Sequence, residues 1–303
     1  MKDIGTFRDP PAEARYFAAY DHAMSHCPVP DEVLDVGTAH GTTRVHRFGG
    51  GDAPPLVLLP GLAATSACYA DLLPVLAGTG PVYTVDTLGE PGRSVHRKPF
   101  TGHADRARCL DDVLGELGLG QVHLVGGSTG GWHCVNHAIH APERLASISL
   151  LDPTTVTAPF RRAVIASALL CAVVRTERAL RWFVGRAVGR DALDRPEVRL
   201  VLAGVREYLP RVPFPACPPD DRLRALRLPV LALFAERSEV HDAAPAARRL
   251  HALVPHADVE LRPGLSHAFP LPPDELAHFA ARVLAFTGRR ATTVDGPGPG
   301  KPR

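Results

Sequence analysis

The chain has 303 residues, 34 Lys+Arg against 32 Asp+Glu, a formal net charge of +2 and 45% hydrophobic residues. That balance leaves no electrostatic footprint for nucleic acid or an anionic membrane surface, and the apolar content excludes a disordered chain. Lys2, Lys98 and Lys301 are the only lysines, so the positive charge is nearly all Arg, a skew that reads as GC-rich coding. It makes a single Arg a weak sign of an anion site.

The N-terminus, Met1-Lys2-Asp3-Ile4-Gly5, has no signal-peptide core. The longest apolar run, Ala163 to Val174, falls short of the roughly 20 residues that span a bilayer. A cytoplasmic protein is expected. Cys27, Cys68, Cys109, Cys134, Cys171 and Cys217 form no C-x-x-C pair and read as reduced core residues.

Phe17, Tyr20 and Met24 recur at helical spacing, which predicts a short helix over 11–24. Thr42 to Phe48 alternates as a half-buried strand. Leu56–Leu59 and Val82–Val85 are short continuous apolar runs, as in strands buried on both faces of a parallel sheet. A helical stripe at Leu110, Val113, Leu114 and Leu117 precedes strand Val122–Val125, a Gly-rich turn and another helix. Ile148–Leu151 closes this first part at Asp152-Pro153. From 154 to about 225 the pattern is helical with no clear strand: Ala163–Val174, Ala179–Ala187 and Pro196–Tyr208. Strand rhythm returns at Val230–Phe234 and Val259–Leu261, and a last helix runs from about Asp274 to Phe286. The tail from Gly288 to Arg303 is Gly/Pro-rich and expected to be disordered.

Alternating strands and helices imply a mostly parallel sheet with helices on both faces. The expected organisation is a core over 1–153, a helical cap insertion over 154–225, the core's second part over 226–287 and the tail over 288–303. Ligands on such sheets bind at the carboxyl ends of the strands.

Gly126-Gly127-Ser128-Thr129-Gly130 follows one of those strands and opens a helix. It matches G-x-S-x-G, in which small neighbours let the backbone turn sharply and expose the Ser hydroxyl. The bland reading is a Gly-rich turn packing a helix on a strand; the strand before and helix after favour a nucleophile. A phosphate loop is excluded, because no Lys stands at the required spacing. A serine needs a base, and His267, in the loop after the last strand, has the position required by the order Ser…acid…His. An oxyanion needs backbone donors. The N–H groups of Thr129 and of Leu62, in the loop Pro60-Gly61-Leu62 after strand Leu56–Leu59, are the candidates, although Pro60-Gly61 also reads as a plain turn.

His133, His137 and His140 share one helix face at a spacing that can hold zinc. No acid stands between them as in H-E-x-x-H, so packing is the preferred reading and no metal or other cofactor is expected.

These residues, with Tyr20-Asp21, Pro28-Val29-Pro30, Gly41-Thr42-Thr43, Asp86 with Gly89 and Ser94, Pro142-Glu143-Arg144 and Pro263-Gly264, carry a likeness. The chain resembles the α/β-hydrolases, and within them the bacterial carboxylesterases of the naproxen esterase type. The resemblance implies an α/β-hydrolase fold and hydrolysis of a small carboxylic ester by Ser, His and an acid, without a cofactor. Thioesterase, lactonase, acyltransferase and C–C hydrolase activities use the same machinery, and a ligand-binding pseudo-hydrolase is the non-catalytic alternative. The sequence departs from the pattern in three places. Pro60-Gly61 replaces His-Gly, Ser266-His267 replaces Gly-His, and Ala235-Glu236-Arg237-Ser238 replaces Gly-Glu-His-Glu, so that Ser238 stands where that family has its acid.

A carboxylate must therefore come from elsewhere. Asp152 follows the strand Ile148–Leu151, and some α/β-hydrolases take their acid from that strand end. Glu239 is next to Ser238 but points the opposite way if the backbone is extended. Asp242 can simply cap a helix beginning near Ala243, and Glu236 can simply hold its turn. Asp152 is the first choice, Glu239 and Asp242 the alternatives.

Overall fold

The computed structural model describes residues 3–174, 176–267 and 270–289. Eight strands build the main sheet: β1 (Glu32–Thr38), β2 (Gly41–Phe48), β3 (Leu56–Leu59), β4 (Val82–Val85), β5 (Val122–Gly127), β6 (Leu145–Leu151), β7 (Val230–Ala235) and β8 (Asp258–Arg262). Their spatial order is β8-β7-β6-β5-β3-β4-β2-β1. Strands β3 to β8 pair in parallel, whereas β2 runs antiparallel to both β1 and β4. Val95–His96 adds a short antiparallel rung to the start of β2.

The longer helices are α1 (Pro10–Met24), α2 (His103–Glu116), α3 (Thr129–His140), α4 (Arg162–Val174), α5 (Glu177–Val188), α6 (Pro196–Glu207), α7 (Ala243–Leu253) and α8 (Pro273–Phe286). The continuous apolar strands divide their side chains between two cores by the period of two. Val57, Leu59, Ile148, Leu150 and Phe234 face the cluster covered by α2, α3 and α7. Leu56, Leu58, Leu151, Leu231 and Leu233 face Leu73, Leu76 and Phe279 on the other side. Each fully buried Leu of this kind contributes about 1.5–3 kcal/mol, which is why both faces must be covered.

Between β6 and β7 the chain leaves the sheet and forms α4, α5 and α6. One expectation fails here: Tyr208–Leu209 is a short strand, paired antiparallel with Thr6–Phe7, so the helix beginning at Pro196 stops at Glu207. Helix α6 then packs on α1, with Leu200 against Tyr16 and Tyr20 and with Arg15 bonded to Glu207. The expected disorder also starts too early. Arg289 is buried and donates from Nη2 to the Pro81 carbonyl at 3.1 Å; the rest of the tail, 290–303, lies outside the described residues. Strand β1 escaped the sequence reading because it is an exposed edge strand, with Val33 half in solvent and Gly37 and charges breaking its alternation.

Candidate active site

Strand register sets the site. Gly127, the last residue of β5, pairs with Leu151, the last of β6. Ser128 and Asp152 therefore follow directly on two adjacent strand ends. The Ser128 N–H donates to the Leu151 carbonyl at 2.9 Å, which locks the turn to β6.

Ser128 has φ 55° and ψ −123°, a conformation that costs a non-Gly residue on the order of 1–3 kcal/mol. The glycines around it are forced by contact. A Cβ on Gly126 would meet the Gly130 carbonyl group at 2.3 Å, and one on Gly130 would lie 1.9 Å from the Leu59 carbonyl oxygen. The turn leaves the hydroxyl pointing out over the strand ends.

His267 reaches it from the loop after β8. That loop is held by Gly264 N–H to Glu236 Oε2 at 2.9 Å and Arg237 N–H to the Leu265 carbonyl at 2.9 Å. Ser128 Oγ lies 2.9 Å from His267 Nε2, and His267 Nδ1 lies 2.5 Å from Asp152 Oδ2. A carboxylate only accepts, so Nδ1 carries the proton and Nε2 is free to accept from Ser128. Asp152 is fully buried at φ +41°. Burial pushes its carboxyl up, but the adjoining imidazoles of His241 and His267 outweigh it and hold the group well below the usual carboxylate range.

The structure thus brings Ser128, His267 and Asp152 together and leaves the other acids outside. Glu239 faces Arg186 at 3.5 Å, Asp242 faces Arg161 at 2.7 Å, and both are largely exposed. Asp242 precedes α7 without capping it through its side chain. Ser238 is buried and offers a hydroxyl only.

Leu62 and Thr129 line the same cavity as Ser128 and His267. Thr129 opens α3, where the first helical N–H groups have no partner within the helix. A Cβ on Gly61 would stand 3.4 Å from the Ser128 Cβ, so the loop carrying Leu62 passes directly over the hydroxyl. The cavity holds about 630 Å³ and is walled by apolar side chains, among them Phe160, Val164, Phe183, Val184, Val198 and Val201.

The helix-face histidines have other surroundings. Arg106 Nη2 lies 3.0 Å from His133 Nε2 and occupies the lone pair a metal would need. Burial pushes His137 down to about 4. Among the described residues no three His, Cys, Asp or Glu side chains cluster closely enough to hold a metal ion, and no helix is long and apolar enough to cross a membrane. Sequence reasoning missed His241. It is fully buried, with Nε2 3.0 Å from Asp152 Oδ1. In the sequence it is one of 15 histidines, and only burial marks it out.

A strand-ordered parallel sheet with serine, histidine and carboxylate gathered at its carboxyl edge defines a hydrolase-like class, and the α/β hydrolase family model matches residues 56–279; the chain belongs to that family. Among individual proteins, it is 30% identical over 280 residues to carboxylesterase YbfK of Bacillus subtilis (strain 168), covering 90% of this chain and 93% of the relative. The crystal structure of carboxylesterase CesB (YbfK) from Bacillus subtilis superposes with a TM-score of 0.83 at 29% identity, over 91% of this chain and 98% of that one. That of naproxen esterase (carboxylesterase NP) from Bacillus subtilis gives 0.84 at 27% identity, over 92% and 99%.

Proposed function

We propose that the chain is a serine carboxylesterase acting on small, largely hydrophobic esters. Ser128 attacks the ester carbonyl while His267 takes its proton at Nε2. Asp152 fixes the His267 tautomer and stabilises the imidazolium. The Leu62 and Thr129 N–H groups receive the oxyanion. His267 then protonates the leaving alcohol, and water, activated by the same imidazole, releases the acid from the Ser128 acyl-enzyme. Residues 154–225 act as a cap whose helices α4 to α6 wall the acyl or alcohol pocket. Six free thiols fit a reducing compartment.

The observation that carries this reading is the unbroken chain from Ser128 Oγ to Asp152, with steps of 2.9 and 2.5 Å. Relatives that are named carboxylesterases, matched over about nine tenths of this chain, support the ester as substrate. Intact-mass measurement after treatment with a fluorophosphonate tests it. The wild type should gain one adduct and S128A none, with hydrolysis of p-nitrophenyl butyrate lost in parallel. A wild-type protein that takes up no label on Ser128 would sink the proposal.

A further inference from the structure

We infer that His241 is a positioning residue for Asp152, an assignment that rests on reading Asp152 as the acid of the hydrolysis. His241 lies in the loop after β7 and is completely shielded from solvent. Its Nε2 stands 3.0 Å from Asp152 Oδ1, a charge contact outside hydrogen-bond geometry, and neither ring nitrogen has a hydrogen-bond partner among the described residues. The same oxygen accepts the Ala235 N–H at 3.1 Å, while Oδ2 belongs to His267. One buried carboxylate therefore serves two imidazoles, one on each oxygen.

The arrangement follows from where the acid sits. At the end of β7, Ser238 supplies no charge, and the space behind Asp152 is filled by an imidazole three residues further on. The ionisable groups facing His241 are Asp152, from the end of β6, and His267, from the loop after β8, whose ring centroid is 6.4 Å away. The Phe234 ring of β7 meets the His241 ring edge-on, with centroids 6.2 Å apart. The flanking acids Glu239 and Asp242 are paired instead with Arg186 and Arg161.

Two consequences follow. Without His241, Oδ1 keeps only the Ala235 N–H, and the carboxylate can pivot about its terminal torsion, which is broad and soft; the imidazole packed against Oδ1 restricts that pivot and keeps Oδ2 aimed at His267. His241 also draws part of the carboxylate's negative charge away from His267. Removing it concentrates that charge on His267, favours the imidazolium, and so moves the acid limb of the rate profile to higher pH. A residue that merely filled space would not move that limb.

The experiment compares full-length H241L, H241Q, D152N and the H241L/D152N double variant on p-nitrophenyl butyrate between pH 5 and 9. H241L should lose about ten- to a hundred-fold in kcat with KM nearly unchanged, the scale of a misplaced reacting group, and its acid limb should rise by about half a unit or more. H241Q keeps a neutral N–H donor near Nε2 and should recover most of kcat and the wild-type limb. In the D152N background, H241L should add nothing. If Leu is not tolerated, His241→Asn replaces it, since its shorter amide falls short of Oδ1 and the same readouts apply. A folded H241L with wild-type kcat and limb overturns the assignment, as do H241L and H241Q variants equally impaired with an unmoved limb. D152N with wild-type turnover would refute the acid itself and the positioning role with it, a failure visible without any His241 variant.

Discussion

In the proposed mechanism the chemistry turns on one residue, Asp152. It sits in the left-handed region at φ +41°, fully buried, with its N–H bonded to the Leu233 carbonyl at 2.6 Å. The neighbouring strand β7 thus fixes both its backbone and, through Ala235, one carboxylate oxygen. Replacement by Asn keeps the shape but removes the charge and allows an amide N–H to face His267. The expected loss in kcat for D152N is about 10²–10⁴-fold, as for other Ser-His-acid systems stripped of the acid. D242N should stay within about two-fold, because Asp242 bonds to Arg161 at the surface, and E239Q should lose far less than D152N. Steady-state rates of the three variants on one ester check this; a D152N rate near wild type with a collapsed E239Q would move the acid to Glu239. The sequence made Ser128 and His267 legible through a local motif and through chain order. It made Asp152 legible only as one choice among several, because a carboxylate's partner depends on strand register and long-range geometry. His241 left no trace, since its role depends on a contact 89 positions away in the chain.

At the scale of elements, the turn between β5 and α3 and the helix after it set two further outcomes. Gly130→Ala puts a methyl 1.9 Å from a backbone oxygen of β3, and neither strand nor helix can yield without breaking the sheet. G130A should therefore unfold or lose several kcal/mol, at or beyond the usual 1–3 kcal/mol of overpacking, which a urea melt would register as a fall in midpoint; an unchanged midpoint would mean the turn is looser than its contacts imply. Further along α3, burial pushes His137 down to about 4. Its charged form is disfavoured in the fold, whereas the unfolded chain takes up the proton near 6.5. The stabilising difference is fully present above pH 6.5 and is lost as the pH falls from there toward 4, on the order of 3 kcal/mol in all. Urea midpoints at pH 7.5 and 5.0 should drop for the wild type and drop less for H137L. The short apolar strands were readable because strands buried on both faces show as uninterrupted runs. Edge strand β1 and the Tyr208–Leu209 rung were not, since half-exposed or two-residue pairings are decided by their partners.

For the molecule as a whole, the proposed ester hydrolysis leaves substrate choice to the cavity between the strand ends and helices α4, α5 and α6. The ion pair Arg186–Glu239 ties core to helices along its lining, where Ser167 and Glu197 also stand, but most of its exposed wall is apolar. On the proposed reading, selectivity comes mainly from apolar area. Each methylene buried contributes about 0.8 kcal/mol, which is close to four-fold in kcat/KM when the transition state holds it too. A cavity of about 630 Å³ leaves room for several such groups. The expected pattern on p-nitrophenyl esters is a rise of about two- to four-fold per methylene from acetate to hexanoate, followed by a plateau when the pocket is full. Val201 lies on the wall contributed by α6. V201W should bring the plateau forward to shorter acyl chains while leaving acetate turnover near the wild-type rate, because the enlarged ring takes the space of the distal chain and not that of the carbonyl. A kcat/KM flat with chain length, or a V201W variant that loses acetate and hexanoate alike, would mean that this cavity does not hold the acyl group.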